Sequence, residues 1–210
     1  MGRQMRDTRP RLALMACCAG AVALLAGCVD NKDWERLNDR GDLIAAIDAG
    51  AQRPQADLTG LSGTASYAGA AAASFPGAGE DEVYNARADL AMTVDFSAET
   101  LSGTMSRWAS SNPEDWAMDG TVFIADGQID RDGSFDAKLS GNVRREPTAQ
   151  HIVRAQEDDD VPMPQGIIYT FIRGTAEGTF HDSAQGRGTH IIGTLQAEGV
   201  SGFFAAERDR

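Results

Sequence analysis

Apolar and polar residues alternate from Ala88 to Phe96, and this pattern most constrains what the chain can fold into. Leu90, Met92, Val94 and Phe96 share one face, whereas acidic and hydroxyl-bearing residues occupy most of the other. A period of two places successive side chains on opposite sides of a strand, so the segment is typical of a β-strand with one buried face.

Further segments repeat this alternation, and short turn sequences separate them. The predicted strands cover residues 61–72, 85–97, 99–108, 120–129, 133–144, 167–180, 187–197 and 199–208. Asp130 to Gly133 is typical of a hairpin turn. Consecutive antiparallel strands without a long helix predict an all-β protein, a small eight-stranded antiparallel up-and-down barrel over residues 58–210, filled by apolar side chains.

Alternation alone also fits a barrel that spans a membrane. We favour a barrel in water because the strands show no clear pair of aromatic girdles. Two connections are predicted to be long, from Trp108 to Asp119 and from Arg144 to Gly166. Long loops in a compact domain are usually functional or disordered.

The beginning of the chain predicts export. Four arginines precede an apolar run that ends at Ala26 and is shorter than the ~20 residues of a membrane-spanning helix. This is the pattern of a secretory signal peptide, here residues 1–27. Leu25, Ala26, Gly27 and Cys28 resemble the lipobox of bacterial lipoproteins. The resemblance implies cleavage before Cys28 and a lipid anchor on its sulfur, with acyl chains such as palmitate; the alternative is an ordinary cysteine in a signal peptide.

Residues 28–57 are predicted to form an acylated N-terminus and tether. Leu43, Ile44 and Ile47 would share one face of a short helix between Asp42 and Gly50. A partly disordered spacer is the alternative, because short isolated helices are marginal in water. Val29 follows the cysteine, and the lipoprotein sorting rule then favours the outer membrane of a Gram-negative bacterium, with the leaflet left open.

The chain is acidic, and its charge limits its partners. It carries 19 Lys and Arg against 31 Asp and Glu, a net charge of −12. Nucleic-acid binding requires a basic patch, so nucleic acid is excluded as a partner. Anionic lipid would not hold such a chain by charge alone. We expect a monomer attached to its membrane through the lipid and able to bind a protein.

Four segments in order resemble a known family: Leu61–Gly69, Leu101–Thr104, Asp132–Phe135 and Gly199–Arg208. They are similar to the β-barrel domain of transferrin-binding protein B and related bacterial surface lipoproteins. The resemblance implies a non-catalytic, lipid-anchored barrel that binds a host protein or an iron or haem carrier. The chain lacks the handle domain and the aromatic-Gly-Pro motif of that family, so transferrin binding is not carried over.

The sequence offers no catalytic constellation. His151, His181 and His190 lack partners at metal-ligand spacing, and no nucleophile motif is present. We therefore predict neither an enzyme nor any cofactor or metal beyond the covalent lipid. Trp108 and Trp116 lie in a polar connection and are candidate partner-binding residues, or else they fold back over the barrel end.

These observations predict a lipid-anchored binding module that engages a protein or an iron or haem carrier through its loops. Two alternatives stay open. One is a structural envelope lipoprotein facing the periplasm. The other is a lipocalin-like carrier with a small apolar molecule inside, which a filled interior would disfavour.

Overall fold

The chain folds into a closed antiparallel β-barrel in the computed structural model, which describes residues 53–77, 83–161, 163, 164 and 166–209. The elements are β1 (Thr64–Pro76), β2 (Val83–Asp95), β3 (Thr100–Ser110), β4 (Trp116–Ile129), β5 (Ser134–Pro147), α1 (Ala149–Glu157), β6 (Ile168–Ser183), β7 (Gly186–Ala197) and β8 (Val200–Arg208). Each strand pairs with the next, and β8 pairs with β1 to complete the cylinder. The predicted eight-stranded up-and-down barrel is confirmed.

Alternate side chains of every strand point into the barrel and form one apolar core. The largest apolar side chains that are almost completely buried are Tyr67, Phe75, Phe180, Phe204, Leu90, Met105, Ile124, Leu139, Ile191 and Val94. Outward positions such as Asp136, Lys138, Arg173 and Glu177 are exposed and charged. A barrel that spans a membrane has an apolar outer band, so this polarity argues against that alternative.

The chain before β1 closes one end of the barrel. The Ala56 N–H donates to the Phe180 carbonyl oxygen at 2.8 Å, and the Leu58 N–H donates to the Arg131 carbonyl oxygen at 3.0 Å. Ala56 is fully buried, and Gly133 lies against its carbonyl. We call this rim, together with residues 53–63, the closed end.

The opposite rim carries α1 and differs from the sequence-based expectation. The connection from β5 to β6 is not entirely a loop, because it contains α1. The connection from β3 to β4 spans residues 111–115 and is shorter than predicted, since Trp108 and Trp116 belong to strands. We call this rim the helix end. No described helix is long and apolar enough to cross a membrane.

Candidate functional site

Helix α1 is fixed to the helix end by its N-cap and by an ion pair from its last turn. Thr148 caps the helix: its Oγ1 accepts the His151 N–H at 3.1 Å, and its own hydroxyl donates to the Glu114 carbonyl. The Thr148 N–H donates to the Asp115 carbonyl at 2.8 Å, and Arg154 forms an ion pair with the Asp115 carboxylate. The β3–β4 connection therefore holds α1 at two points.

A buried arginine lies beneath α1. Arg145 follows the inward alternation of β5 and is 1% exposed. Its guanidinium carbon lies 3.8 Å from the Tyr84 ring centroid and 4.2 Å from that of Trp116. Desolvated cation–π contacts of this kind stabilise by about 2 kcal/mol. Burial raises the pKa of Tyr84, whereas the positive charge of Arg145 opposes that rise.

The two predicted tryptophans occupy the helix end in different ways. Trp108 is 5% exposed, and its ring meets Phe75 edge-on at a centroid distance of 5.4 Å. Its indole N–H is buried without a hydrogen-bond partner among the described residues. Trp116 is half-buried between Arg145 and the His151 ring, 5.1 Å away. Both rings help to close this end, and a partner-binding role for either stays a prediction.

The histidines lie in two separate settings. His151 belongs to α1, whereas His181 and His190 pair across β6 and β7 near the closed end. Arg53 Nη1 lies 2.9 Å from His190 Nδ1 and 3.0 Å from its Nε2. Burial and the Arg53 charge lower the pKa of His190. Within the described part of the chain, no group of three or more His, Cys, Asp and Glu side chains could hold a metal ion.

The clearest surface feature is a set of exposed apolar side chains around β6 and the helix end. Tyr169 and Phe171 project outward from β6, and Phe171 is 76% exposed. Phe123 projects from β4 on the same wall, because β5 separates the two strands. The set, which we call the β6 surface, consists of Phe123, Ile152, Val153, Met163, Ile167, Tyr169 and Phe171.

Two arginines flank this surface. In the strand register Arg144 pairs with Tyr169, and Ser140 pairs with Arg173 on one side and with Phe123 on the other. An apolar surface with aromatic anchors and a polar rim has the composition of a protein-binding site. It offers aromatic side chains and guanidinium groups on a chain that is acidic overall.

Sequence reasoning missed the β6 surface. From Ile167 to Ile172 apolar residues occupy both faces of the strand, so alternation does not show which face lies inside. A barrel in water buries only the inner face of each strand. Apolar residues on both faces of β6 are therefore the signal that could have indicated an exposed apolar surface. The predicted lipobox residues Leu25, Ala26 and Gly27, the lipid attachment site Cys28 and the predicted tether helix lie outside the described residues.

The barrel interior offers little space for a small ligand. Among the described residues, a cleft of about 270 Å³ opens at the rim of the closed end, where Leu58, Leu61, Phe96 and Ile129 line it with polar neighbours. Pockets for drug-sized ligands occupy roughly 300–1,000 Å³. A larger, open depression of about 580 Å³ lies between Asp136, Glu177, Thr194 and Phe203 on the outer wall of β5 to β8, outside the barrel. The core below the cleft is filled by side chains, which disfavours a ligand held inside the barrel.

Comparisons with known proteins find a likeness in structure only. No protein-family model matches the sequence, and no curated protein matches it. Among solved structures, the chain is similar to the apo crystal structure of the haemoglobin receptor HpuA from Kingella denitrificans, with a TM-score of 0.40 and 14% sequence identity. The match covers 75% of this chain and 46% of that receptor chain. We draw neither family nor function from a likeness at this level, and the resemblance to transferrin-binding protein B stays a prediction.

Proposed function

We propose that this protein is a lipid-anchored, non-catalytic binding module of the bacterial outer membrane. The β6 surface is its contact site for a protein, including one that carries iron or haem. The observation that carries the proposal is the concentration of exposed apolar side chains on the wall from β4 to β6 and on the connection from β5 to β6.

Clustering matters because single exposed apolar residues are normal on a protein surface, whereas a contiguous group usually marks an interaction site. All the large apolar side chains that the described residues expose, except Val83, belong to the β6 surface. Tyr169 and Phe171 are rigid anchors that gain contact area at a low cost in conformational entropy.

The position of the surface also supports the proposal. Residues 53–63 pack at the closed end, so the chain that leads from Cys28 reaches the barrel there. The helix end lies at the opposite rim, since the strands run from one rim to the other. A lipid on Cys28 would hold the barrel at a membrane by the tether and leave the helix end accessible.

Site-specific photo-crosslinking in cells tests the contact site. A benzophenone side chain replaces Phe171 in one variant and Thr175, an exposed outward residue of the same strand, in the other. We expect a discrete protein adduct at position 171 and none at position 175. Equal adducts at both positions, or no adduct at 171, would contradict the proposed surface.

The anchor and its leaflet need separate measurements. Metabolic labelling with a clickable fatty acid is expected to mark the wild-type chain and to fail for Cys28→Ser. Protease treatment of intact cells is expected to remove residues beyond the tether. Full protection without lysis would favour the structural envelope lipoprotein that faces the periplasm.

A further inference from the structure

Alanine side chains lie on the outer face of β8, β1 and β3, and Arg87 and Asp89 of β2 lie between them. In the strand register Ala70 lies between Ala205 and Asp89, and in the next row Ala72 lies between Phe203 and Arg87. Ala109 of β3 continues this second row, because it pairs with Arg87. We call Ala70, Ala72, Ala109 and Ala205 the alanine strip.

Three of the four alanines, Ala70, Ala109 and Ala205, are buried although they face outward, and Ala72 is partly buried. Ala70 is 5% exposed and Ala205 is 6% exposed, and they form an apolar cluster separate from the barrel core. Arg87 and Asp89 on the same face are also buried. Ala91, one position further along the outer face of β2, is exposed. Low exposure is therefore a property of this strip and not of outward alanines in general.

The described chain begins beside this strip. Arg53 lies against His190 on the outer face of β7. His190 pairs with Glu207 of β8, and β8 pairs in turn with β1. Neighbouring strands are about 4.8 Å apart, so β7 lies roughly 10 Å from β1 along the barrel wall. The residues that precede Arg53 therefore leave the barrel close to the strip.

Those residues suit the strip chemically. Leu43, Ile44 and Ile47 share one face of the helix predicted between Asp42 and Gly50. A helix of this length is about 13 Å long, which matches roughly three strand spacings. The short alanine side chains leave a trough between the longer Phe203, Arg87 and Asp89 side chains of the same rows, and leucine and isoleucine side chains can pack into it.

We propose that residues 42–50 dock their Leu43, Ile44 and Ile47 face on the alanine strip. Docking removes the apolar face of this segment from water and supplies the tertiary packing that a short helix needs. The tether then consists of two parts, a docked part next to the barrel and a shorter free part that leads to Cys28. This inference does not depend on the β6 surface.

Hydrogen exchange of the full chain, measured by mass spectrometry, tests the proposal. Amides of residues 43–50 are expected to exchange at least about tenfold more slowly than those of an unstructured peptide, because docking protects them. Ala72→Glu places a charge in the trough and is expected to abolish this protection. Ser140→Glu, on an exposed outward position of β5, is the matched control and is expected to retain it.

Ile47→Asp gives a second variant that leaves the barrel untouched. It is expected to abolish protection of residues 43–50 while the amides of β2 and β3 stay protected. Exchange of residues 43–50 at the unstructured rate in the wild type would overturn the proposal. Equal protection of residues 43–50 in Ala72→Glu and Ser140→Glu would also overturn the proposal. Protection that increases with protein concentration would assign the strip to a second copy of the chain and also overturn it.

Discussion

The two ends of the barrel are closed by different chemistry. At the closed end, Phe180 contacts Tyr67, Phe96 and Phe135, with ring centroids 5.6 to 5.9 Å apart. At the helix end, Arg145 stacks between aromatic rings, and the indole N–H of Trp108 has no hydrogen-bond partner among the described residues. The closed end is an ordinary apolar core, whereas the helix end combines a buried charge with exposed apolar side chains. The difference indicates that aromatic packing holds the closed end, whereas the proposed contact site lies beside the helix end.

The largest expected effect contrasts two phenylalanines of β6. Phe180 is fully buried in the aromatic cluster, so Phe180→Ala is expected to lower the free energy of unfolding by about 3–5 kcal/mol. Phe171→Ala removes an exposed ring and is expected to change it by less than about 0.5 kcal/mol. Urea denaturation measures both, and similar losses would break the contrast between the two ends.

Two glycines with the same backbone conformation give the next contrast. Gly133 has φ +87° at the closed end and Gly166 has φ +89° at the helix end. A Cβ at Gly133 would lie 2.4 Å from the Ala56 carbonyl oxygen, whereas a Cβ at Gly166 meets nothing within 4 Å. Gly166→Ala is expected to cost about 1 kcal/mol from the left-handed conformation alone. Gly133→Ala is expected to cost about 2–3 kcal/mol, because residues 53–63 must also move. Equal midpoints in thermal unfolding would contradict this account.

Arg145→Lys sharpens the comparison at the helix end. Lysine keeps the charge but lacks the planar guanidinium that stacks between Tyr84 and Trp116, so a loss of about 1–2 kcal/mol is expected. Arg144→Lys is the control, since the Arg144 side chain points outward and is partly exposed. Its expected change is below about 0.5 kcal/mol. Chemical denaturation of the two variants is the measurement, and a stable Arg145→Lys would show that charge alone holds this end.

The smallest expected effect is a pH dependence near the closed end. Burial lowers the pKa of His190, the Arg53 and His181 charges lower it further, and Glu207 opposes them. The unfolded chain therefore binds a proton before the folded chain does as the pH falls below about 6.5. The contribution of His190 to the free energy of unfolding is therefore complete above that pH. It decreases as the pH falls towards the lowered pKa that His190 has in the folded chain. His190→Gln is expected to remove this part of the slope in thermal unfolding between pH 5 and pH 8. An unchanged slope would exclude the contribution of His190.

Most of the fold could be predicted, because a half-buried strand shows its period directly. All the predicted strands are present, with ends displaced by a few residues. Helix α1 was not predicted, since its single buried side chain is His151 and its residues are polar on average. Thr148 before Ala149 is a capping signal that could have indicated it.

The candidate site was harder to predict for two physical reasons. The alternation of β5 places Arg145 inside, but a charge in that position argues against burial until its aromatic partners are known. Those partners, Tyr84 and Trp116, come from β2 and β4 and are distant in sequence. The β6 surface was hidden because Tyr169 and Phe171 resemble core residues.

The pairing of β1 with β8 has a practical consequence for engineering. Tyr67 lies opposite Arg208, and the Asp209 N–H donates to the Ser66 carbonyl oxygen at 2.8 Å. A fluorescent protein or affinity tag fused after β8 would therefore extend from the closed end, as the tether does, and away from α1. Imaging and immobilisation of the molecule can use that junction without obstructing the β6 surface.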